Sequence, residues 1–534
     1  MTEENKMEKN ITPGVANDNG RPPHRPQFFR IFLWSMIFYF SLRLLLGAPA
    51  QKVEAAKPEN TKEIERVLVP FANDYISGNF NAVGLRIDDL TLLKYHDKAD
   101  RHSPQIRLLA HATPDDKGFS EFVEFGLIAD NIDVPTNATR WNIEKKSDRA
   151  ITLSTTNKAG IKFTRELSID ERFGLSVRDT IANNSNAGFT FHPYARIVAS
   201  HSPAQDSSAH TGFVGVFDDK FMDKSYSKLK GKALPEIRAK SGWFGLSSAY
   251  FLAAVSLGSN TESGAVNVRE LRNNEFGARQ FQADFVAPRR TLAPRETATV
   301  EWGGFLGAKE AAALAHYETA INAPRLGLAI DYGFFYFLSR PFTALLTWLN
   351  NLTGNFGVAI IILTIFIRIL LFPIAQKSFR SMEAMKRVQP EMKRIQTMYA
   401  SDKQRMSFEM AALFKKHKIN PLSGCLPLLL QLPVFIALYQ TLIVSIEMRH
   451  APFMFWITDL SAHDPYFVLP ILMGATMWFQ MQMTPQATPD PNMAKVMKWL
   501  PLIFTFMFAT LPSGLVLYWT VNNILSIAQQ KFIK

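Results

Sequence analysis

Two regimes of hydrophobic patterning divide the chain. From Asn79 to about Gly307, apolar and polar residues alternate in short runs, among them Ala150 to Ser154, Gly160 to Leu167, Gly174 to Ile181 and Phe189 to Val198. Turn clusters such as Asn157-Lys158-Ala159-Gly160 and Asn183-Asn184-Ser185-Asn186 separate them. A period of two bounded by such residues predicts antiparallel strands, and their number predicts a large all-β sandwich over residues 79–310. After Tyr332 the alternation gives way to long apolar, aromatic and Met-rich windows. A bilayer core of about 30 Å needs about 20 such residues in a helix, so this half is expected to face lipid.

Five windows are long enough to count. Residues 31–47 hold IFLWSMIFYFSL, Arg43 and LLL; 355–375 is apolar except for Arg368; 420–446 and 465–483 carry no charge. The apolar stretch near the C-terminus is too long for one span at about 1.5 Å per residue. Leu511-Pro512-Ser513-Gly514 breaks it into 495–511 and 514–533. The expected fold is therefore a polytopic α-helical membrane protein with six transmembrane helices and a large exported all-β domain. Residues 1–30 and 48–78 are read as an N-terminal segment and a linker. Arg25 and Arg30 before the first window and Ala48-Pro49-Ala50 after it also fit a cleaved signal peptide, whereas Arg43, snorkelling from a helix end, favours a retained anchor.

Charge in the short loops sets the orientation. Residues 376–419 carry seven Lys and four Arg against four acidic residues, a net +7, which marks them as cytoplasmic. The loop 447–464 is acidic on balance and the Pro512 turn uncharged, so both fall outside, while 484–494 and the Lys residues near the later spans fall inside. Both termini are then cytoplasmic. Residues 328–352 are apolar at helical spacing, but only one crossing fits between an external domain and an internal basic loop. They are expected to form an amphipathic helix in the outer interface, with a seventh span as the competing reading.

Within 376–419, Met382, Met385, Val388, Met392, Ile395 and Met398 form one apolar stripe, and Met406, Met410, Leu413 and Phe414 a second. Ser401-Asp402-Lys403-Gln404 reads as a helix start between them, which predicts a two-helix hairpin kinked at Pro390. The stripes can glue the hairpin together. They can also offer flexible thioethers to varied apolar partners, and 15 of the 19 Met lie after residue 380. The positive charge has a plain topological meaning and a second one, attraction to anionic lipid or to ribosomal RNA.

Candidate chemistry narrows the function by what is missing. There is one cysteine, Cys425, and no phosphate loop, nucleophile elbow or metalloprotease motif, so no cofactor or metal is expected and an enzyme is disfavoured. His192, His201 and His210 in the β region could suggest acid–base work on sugars, but isolated strand histidines are ordinary polar positions. The exceptional residue is Arg368, mid-way along an apolar window, where a charge costs on the order of 2.5–3.5 kcal/mol. None of the windows holds an acidic partner. They hold neutral polar residues instead: Thr364 one turn earlier, Gln431, Gln440, Gln480, Gln482, Thr520, Asn522 and Asn523. Converging, these would line a wet, positive cavity. Two uses follow: a transporter or channel binding an anionic solute at Arg368, or a chaperone-like path for polar segments entering the bilayer. No paired repeats support the first.

The ordered motifs Asn355-Phe-Gly-Val-Ala-Ile-Ile-Ile-Leu-Thr364 with Arg368 and Pro373, Asn420-Pro-Leu-Ser-Gly-Cys425-Leu-Pro427 with Gln431 and Pro433, Ala451-Pro-Phe to Trp456 with Asp459-Leu-Ser, Leu469-Pro-Ile-Leu-Met473-Gly474, and Pro512-Ser-Gly-Leu-Val-Leu-Tyr518-Trp519 with Asn522 closely resemble the YidC-type membrane protein insertases. Gly242-Trp-Phe-Gly and Tyr250-Phe-Leu resemble the periplasmic domain of Gram-negative members. The resemblance implies an inner-membrane protein whose N-terminal anchor precedes a five-helix insertase core, with a hydrophilic groove open to cytoplasm and lipid and closed outside. It implies nascent membrane proteins as clients, taken alone or with the Sec translocon, with no nucleotide, no DNA and membrane lipid as the surround. Arg368 and Thr364 take the places of the groove arginine and its polar neighbour, Tyr518 and Trp519 those of a client-contacting aromatic pair, and Met382, Met385, Met392, Met406 and Met410 lie in the client-capture hairpin. Many members continue into a basic tail that docks ribosomes; here the chain ends at Gln530-Lys-Phe-Ile-Lys534, so a ribosome contact is expected to fall to the hairpin.

Overall fold

The structure, a computed structural model, describes residues 66–111, 121–201, 210–229, 231–258, 262–271, 279–417, 426–483 and 491–532. The expected anchor 31–47, the segments around it, Cys425 with the motif 420–425, the loop 484–490 and the side chains of Met382 and His201 lie outside that description.

Residues 68–308 fold into nineteen strands among the described residues, every pairing antiparallel. A nine-stranded sheet has the order β12-β11-β14-β15-β19-β9-β8-β7-β6. It runs from β12 (Lys220–Ser225), β11 (Gly212–Phe217), β14 (Gly242–Ser247) and β15 (Phe251–Ser256) through β19 (Thr297–Ala308) to β9 (Gly174–Asn183), β8 (Ile161–Ile169), β7 (Ala150–Thr156) and β6 (Asn142–Lys146). A second sheet is built on β10 (Phe189–His201), which pairs with β17 (Arg279–Val286), β18 (Arg290–Leu292) and β5 (Phe122–Ile128), and a third on β1 (Leu68–Ala72) to β4 (Gln105–Leu109). The alternation seen in the sequence is literal in β8, where Ile161, Phe163, Arg165, Leu167 and Ile169 are buried and their neighbours are not. β11 and β14 are buried along their whole length, which removes alternation as a signal there.

Both expected limits of this domain, 79 and 310, are too narrow. β1 lies wholly in the stretch 48–78 read as linker and β2 (Ile76–Asn81) begins there, and the two pair, with Val69, Phe71 and Ile76 in the core. At the other end α1 (Ala311–Ala320) and the turn Leu326–Ala329 pack Leu314, Tyr317, Leu326 and Ala329 into the same core. Tyr317 hydroxyl donates to Asp170 at 2.6 Å and accepts from the Phe173 amide at 2.9 Å, tying α1 to the β8–β9 turn.

Beyond the β unit the α-helices among the described residues are α2 (Tyr336–Thr353), α3 (Phe356–Met398), α4 (Lys403–Lys416), α5 (Leu426–Val444), α6 (Val468–Met483), α7 (Pro491–Phe508) and α8 (Ser513–Phe532). α2 begins at Tyr336 rather than near 328, since Gly333 sits at φ 67 and breaks the chain direction. Its narrow buried face, Ser339, Thr343, Leu346 and Leu349, packs on α5 with Thr441 Oγ1 donating to the Ser339 carbonyl at 3.1 Å. Gly354 at φ 69 ends it, and Asn355 caps α3 by accepting from the Val358 amide.

The boundary expected at 375 is not a helix boundary. α3 runs 43 residues through Pro373 and Pro390, and at about 1.5 Å per residue its length of roughly 65 Å is about twice a bilayer core. Its first half is the apolar window and its second half the first arm of the hairpin. Among the described residues α3 alone is long and apolar enough to cross a membrane by those two measures, with shorter apolar stretches at Leu429–Val444 and Lys498–Phe508. Small residues let the helices approach closely: a Cβ at Gly474 would collide with Thr505 of α7, and one at Gly357 with the Phe453 ring.

Candidate functional site

Arg368 reaches from α3 to α8. One Nη2 donates to the main-chain carbonyl of Asn522 at 2.9 Å and to the Ser526 hydroxyl, which itself donates to the same carbonyl at 2.8 Å. Nε is buried without a partner. A guanidinium carries five donors, so these neutral oxygens satisfy it only in part. Among the described residues no carboxylate pairs with it. Asn522, expected to offer its side chain, supplies its carbonyl, and Ser526 was not singled out because a lone serine in an apolar helix carries no motif.

The other expected groove residues divide. Gln431 Nε2 donates to the Tyr518 hydroxyl at 3.3 Å, which brings α5 and α8 together beside Arg368. Asn523 donates to Thr476 of α6 at 3.3 Å. Thr364 is buried and returns its hydroxyl to the Ile360 carbonyl one turn back, and Thr520 does the same to Val516. Gln440 lies elsewhere, donating to the Asp331 carbonyl. Trp519, successive to Tyr518 and so about 100° around the helix, packs among Phe435, Phe504 and Phe508 with centroids at 5.1, 6.3 and 5.2 Å. Tyr518 is 1% exposed and Trp519 9%, so neither offers free surface as the helices stand.

In the hairpin, Asp402 caps α4 through the Gln404 and Arg405 amides, as the sequence implied. The methionine stripes face each other. Met385, Met392 and Met410 are 2, 3 and 2% exposed and form one cluster with Val388 and Leu413, while Met406 is half-buried. Met385, Met392 and Met410 thus take the first of the two expected roles, holding the two arms together, and offer no free apolar surface to partners as the hairpin stands. Among the described residues the large exposed apolar side chains here are Met398 and Phe408.

The β unit contains buried charge but, among the described residues, no converging acid–base set. Arg165 and Asp179 form a two-point pair, Nε to Oδ1 at 2.5 Å and Nη2 to Oδ2 at 2.8 Å. Burial opposes ionisation of Glu124, but Arg196, Tyr194 and Arg86 outweigh it and hold its carboxyl below the usual range. Glu124, Arg165, Asp179 and Tyr194 line a shallow cleft with Trp141 and Thr136. His192 and His210 are occupied by the carbonyls of Ala287 and Phe213. Among the described residues no cluster of three metal-ligating side chains occurs.

Comparison with known proteins decides the family. Residues 348–534 match the family described as 60Kd inner membrane protein, and residues 68–345 match the YidC periplasmic domain. The chain belongs to the YidC family of membrane protein insertases. A membrane protein insertase YidC of Rickettsia africae is 34% identical over 94% of this chain and 96% of its own. One of Brucella suis biovar 1 is 38% identical over 86% and 79%. A solved structure, an active YidC insertase with its first transmembrane domain resolved, aligns over 94% of this chain and 98% of its own at 16% identity, TM-score 0.39. The family is one of inner-membrane insertases rather than enzymes, and the β sandwich is its periplasmic domain.

Proposed function

We propose that this chain inserts and folds integral inner-membrane proteins, alone or beside the Sec translocon, by giving polar client segments a temporary place at Arg368. The observation that carries the reading is the guanidinium held by neutral oxygens of α8, with Nε left over and no carboxylate partner among the described residues. A cation so placed attracts an acidic or hydroxyl-bearing client segment and can exchange the Asn522 carbonyl for it without breaking an ion pair. Apolar client residues meanwhile slide along the lipid side of α3 and α6, where Ile369, Leu370, Ile471 and Leu472 are exposed. The step is one of hydration and electrostatics, and no bond is made or broken.

Six spans with both termini cytoplasmic complete the reading, with α2 lying in the outer interface: Phe337 and Trp348 are 58 and 57% exposed on the face away from α5. The basic hairpin would meet clients, ribosome or anionic lipid on the cytoplasmic side. The test is reconstitution of the purified protein alone in vesicles with a small client whose translocated segment carries one carboxylate. Insertion without nucleotide supports the reading. Retention of an anionic solute with no insertion would favour a transporter.

A further inference from the structure

The loop between α5 and α6 presents aromatic rings outward on a rigid frame. Phe455 is 85% exposed, Tyr466 67% and Phe467 45%. Phe455 and Phe467 adopt left-handed backbone at φ 55 and 57, a conformation that is strained for a non-glycine residue. The frame is Asp464, 1% exposed, whose carboxylate accepts from Trp456 Nε1 at 3.0 Å, from the Tyr466 amide at 3.0 Å and from the Leu469 amide at 2.8 Å. One buried acid thus fixes both aromatic turns and the start of α6. Phe455 lies over Trp456, centroids 5.9 Å apart at 24°, so the ring is held out rather than left loose.

The display is unfavourable in water, because a phenyl ring left there forgoes the gain of apolar burial. The rings continue a single apolar stripe: Val468, Ile471, Leu472, Trp478 and Phe479 are exposed along α6 directly below them. In an inner-membrane family that stripe meets lipid, so its upper end falls where hydrocarbon gives way to headgroups, the zone that aromatic rings prefer.

We propose that Phe455 and Phe467, set by Asp464, insert into the outer headgroup zone of the bilayer as an anchor separate from α2. The same loop holds the β sandwich at its other end. Arg449 donates to the carbonyls of His96 at 2.8 Å and Asp97 at 3.0 Å and lies over Tyr250, while Glu447 accepts from the Ala311 amide at 3.0 Å. The loop is therefore a spacer of fixed height between periplasmic domain and lipid. The proposal rests on α6 crossing the bilayer, as in the proposed function, and on nothing else in that reading.

The test places nitroxides at Phe455→Cys and Phe467→Cys in the full chain carrying Cys425→Ser, reconstituted in phosphatidylethanolamine–phosphatidylglycerol vesicles. Collision with oxygen and with a water-soluble nickel chelate reports depth, with Leu472→Cys as the lipid control and Lys158→Cys as the aqueous one. The expected result is a nickel collision rate several-fold below that at 158 with oxygen access near that at 472. Values at 455 and 467 matching 158 overturn the anchor while a lipid-like 472 leaves the span intact. Suppression of both probes at 455 and 467 also overturns it, because protein then covers the rings. An aqueous 472 overturns the span itself.

Discussion

The Nη2 of Arg368 and the carbonyl of Asn522 lie 2.9 Å apart, joining the apolar first half of α3 to the middle of α8. The contact is between a charge and a main-chain dipole whose helix position is already fixed, so it orients the guanidinium without neutralising it. Arg368→Ala is expected to impair clients with charged translocated segments and to spare neutral ones. Arg368→Lys keeps the charge but not the planar fork and should fall between. Ser526→Ala removes one acceptor and is expected to cost about 0.5–2 kcal/mol of helix association, the range for hydrogen bonds between membrane helices. Insertion of paired acidic and neutral clients checks the two Arg368 variants, and equilibrium unfolding in detergent micelles checks Ser526→Ala.

Lys309 gives the β unit a pH dependence. It is 1% exposed, hydrogen-bonded to Ser247 Oγ and the Ala329 carbonyl at 3.2 Å each, and burial pushes its ammonium down to about 7 from the ordinary 10.5. Between those values the unfolded chain binds a proton that the folded one does not, so stability should rise with pH across that window by at most about 1.4 kcal/mol per pH unit. Thermal unfolding between pH 6.5 and 9 checks it; Lys309→Met should flatten the slope and raise the midpoint most at the acid end.

The hairpin separates packing from surface. Met392→Ala is expected to destabilise it by about 2–5 kcal/mol, as for a buried side chain truncated in a packed cluster. Phe408→Ser, at a position 73% exposed, should leave its folding unchanged. Hydrogen exchange over residues 384–414 distinguishes the two.

Arg449→Ala removes two charge-assisted hydrogen bonds and a ring contact from the seam between the β unit and the helices. The expected outcome is faster proteolysis of the loop 445–467 that carries Arg449, with the thermal midpoint of the sandwich unmoved.

Much of this architecture was legible because solvent writes it. Strand alternation, the apolar windows and the Asp402 cap are local signals, and β7 to β10 fall close to where the periodicity puts them. What escaped depends on contacts distant in sequence. β1 and β2 read as linker because Pro70, Asn73 and Asp74 interrupt a short apolar run, and only pairing against the rest of the sandwich makes it core. The break expected at 375 failed because the apolar window ends there while the helix does not. Ser526 was invisible for want of any pattern, and the role of Asn522 was misassigned to its side chain because a sequence says nothing about which carbonyl is in reach.

The most direct test of a polar client path at Arg368 is a photo-crosslinker at Gln431, the α5 residue whose amide meets Tyr518 beside the guanidinium. In vesicles with ribosome-bound nascent membrane proteins of increasing length, adducts to the client should appear transiently as its polar segment passes, and should weaken in Arg368→Ala for acidic segments. Persistent absence of client adducts at every length, with Lys158 as the aqueous control, would contradict the groove as the route of insertion.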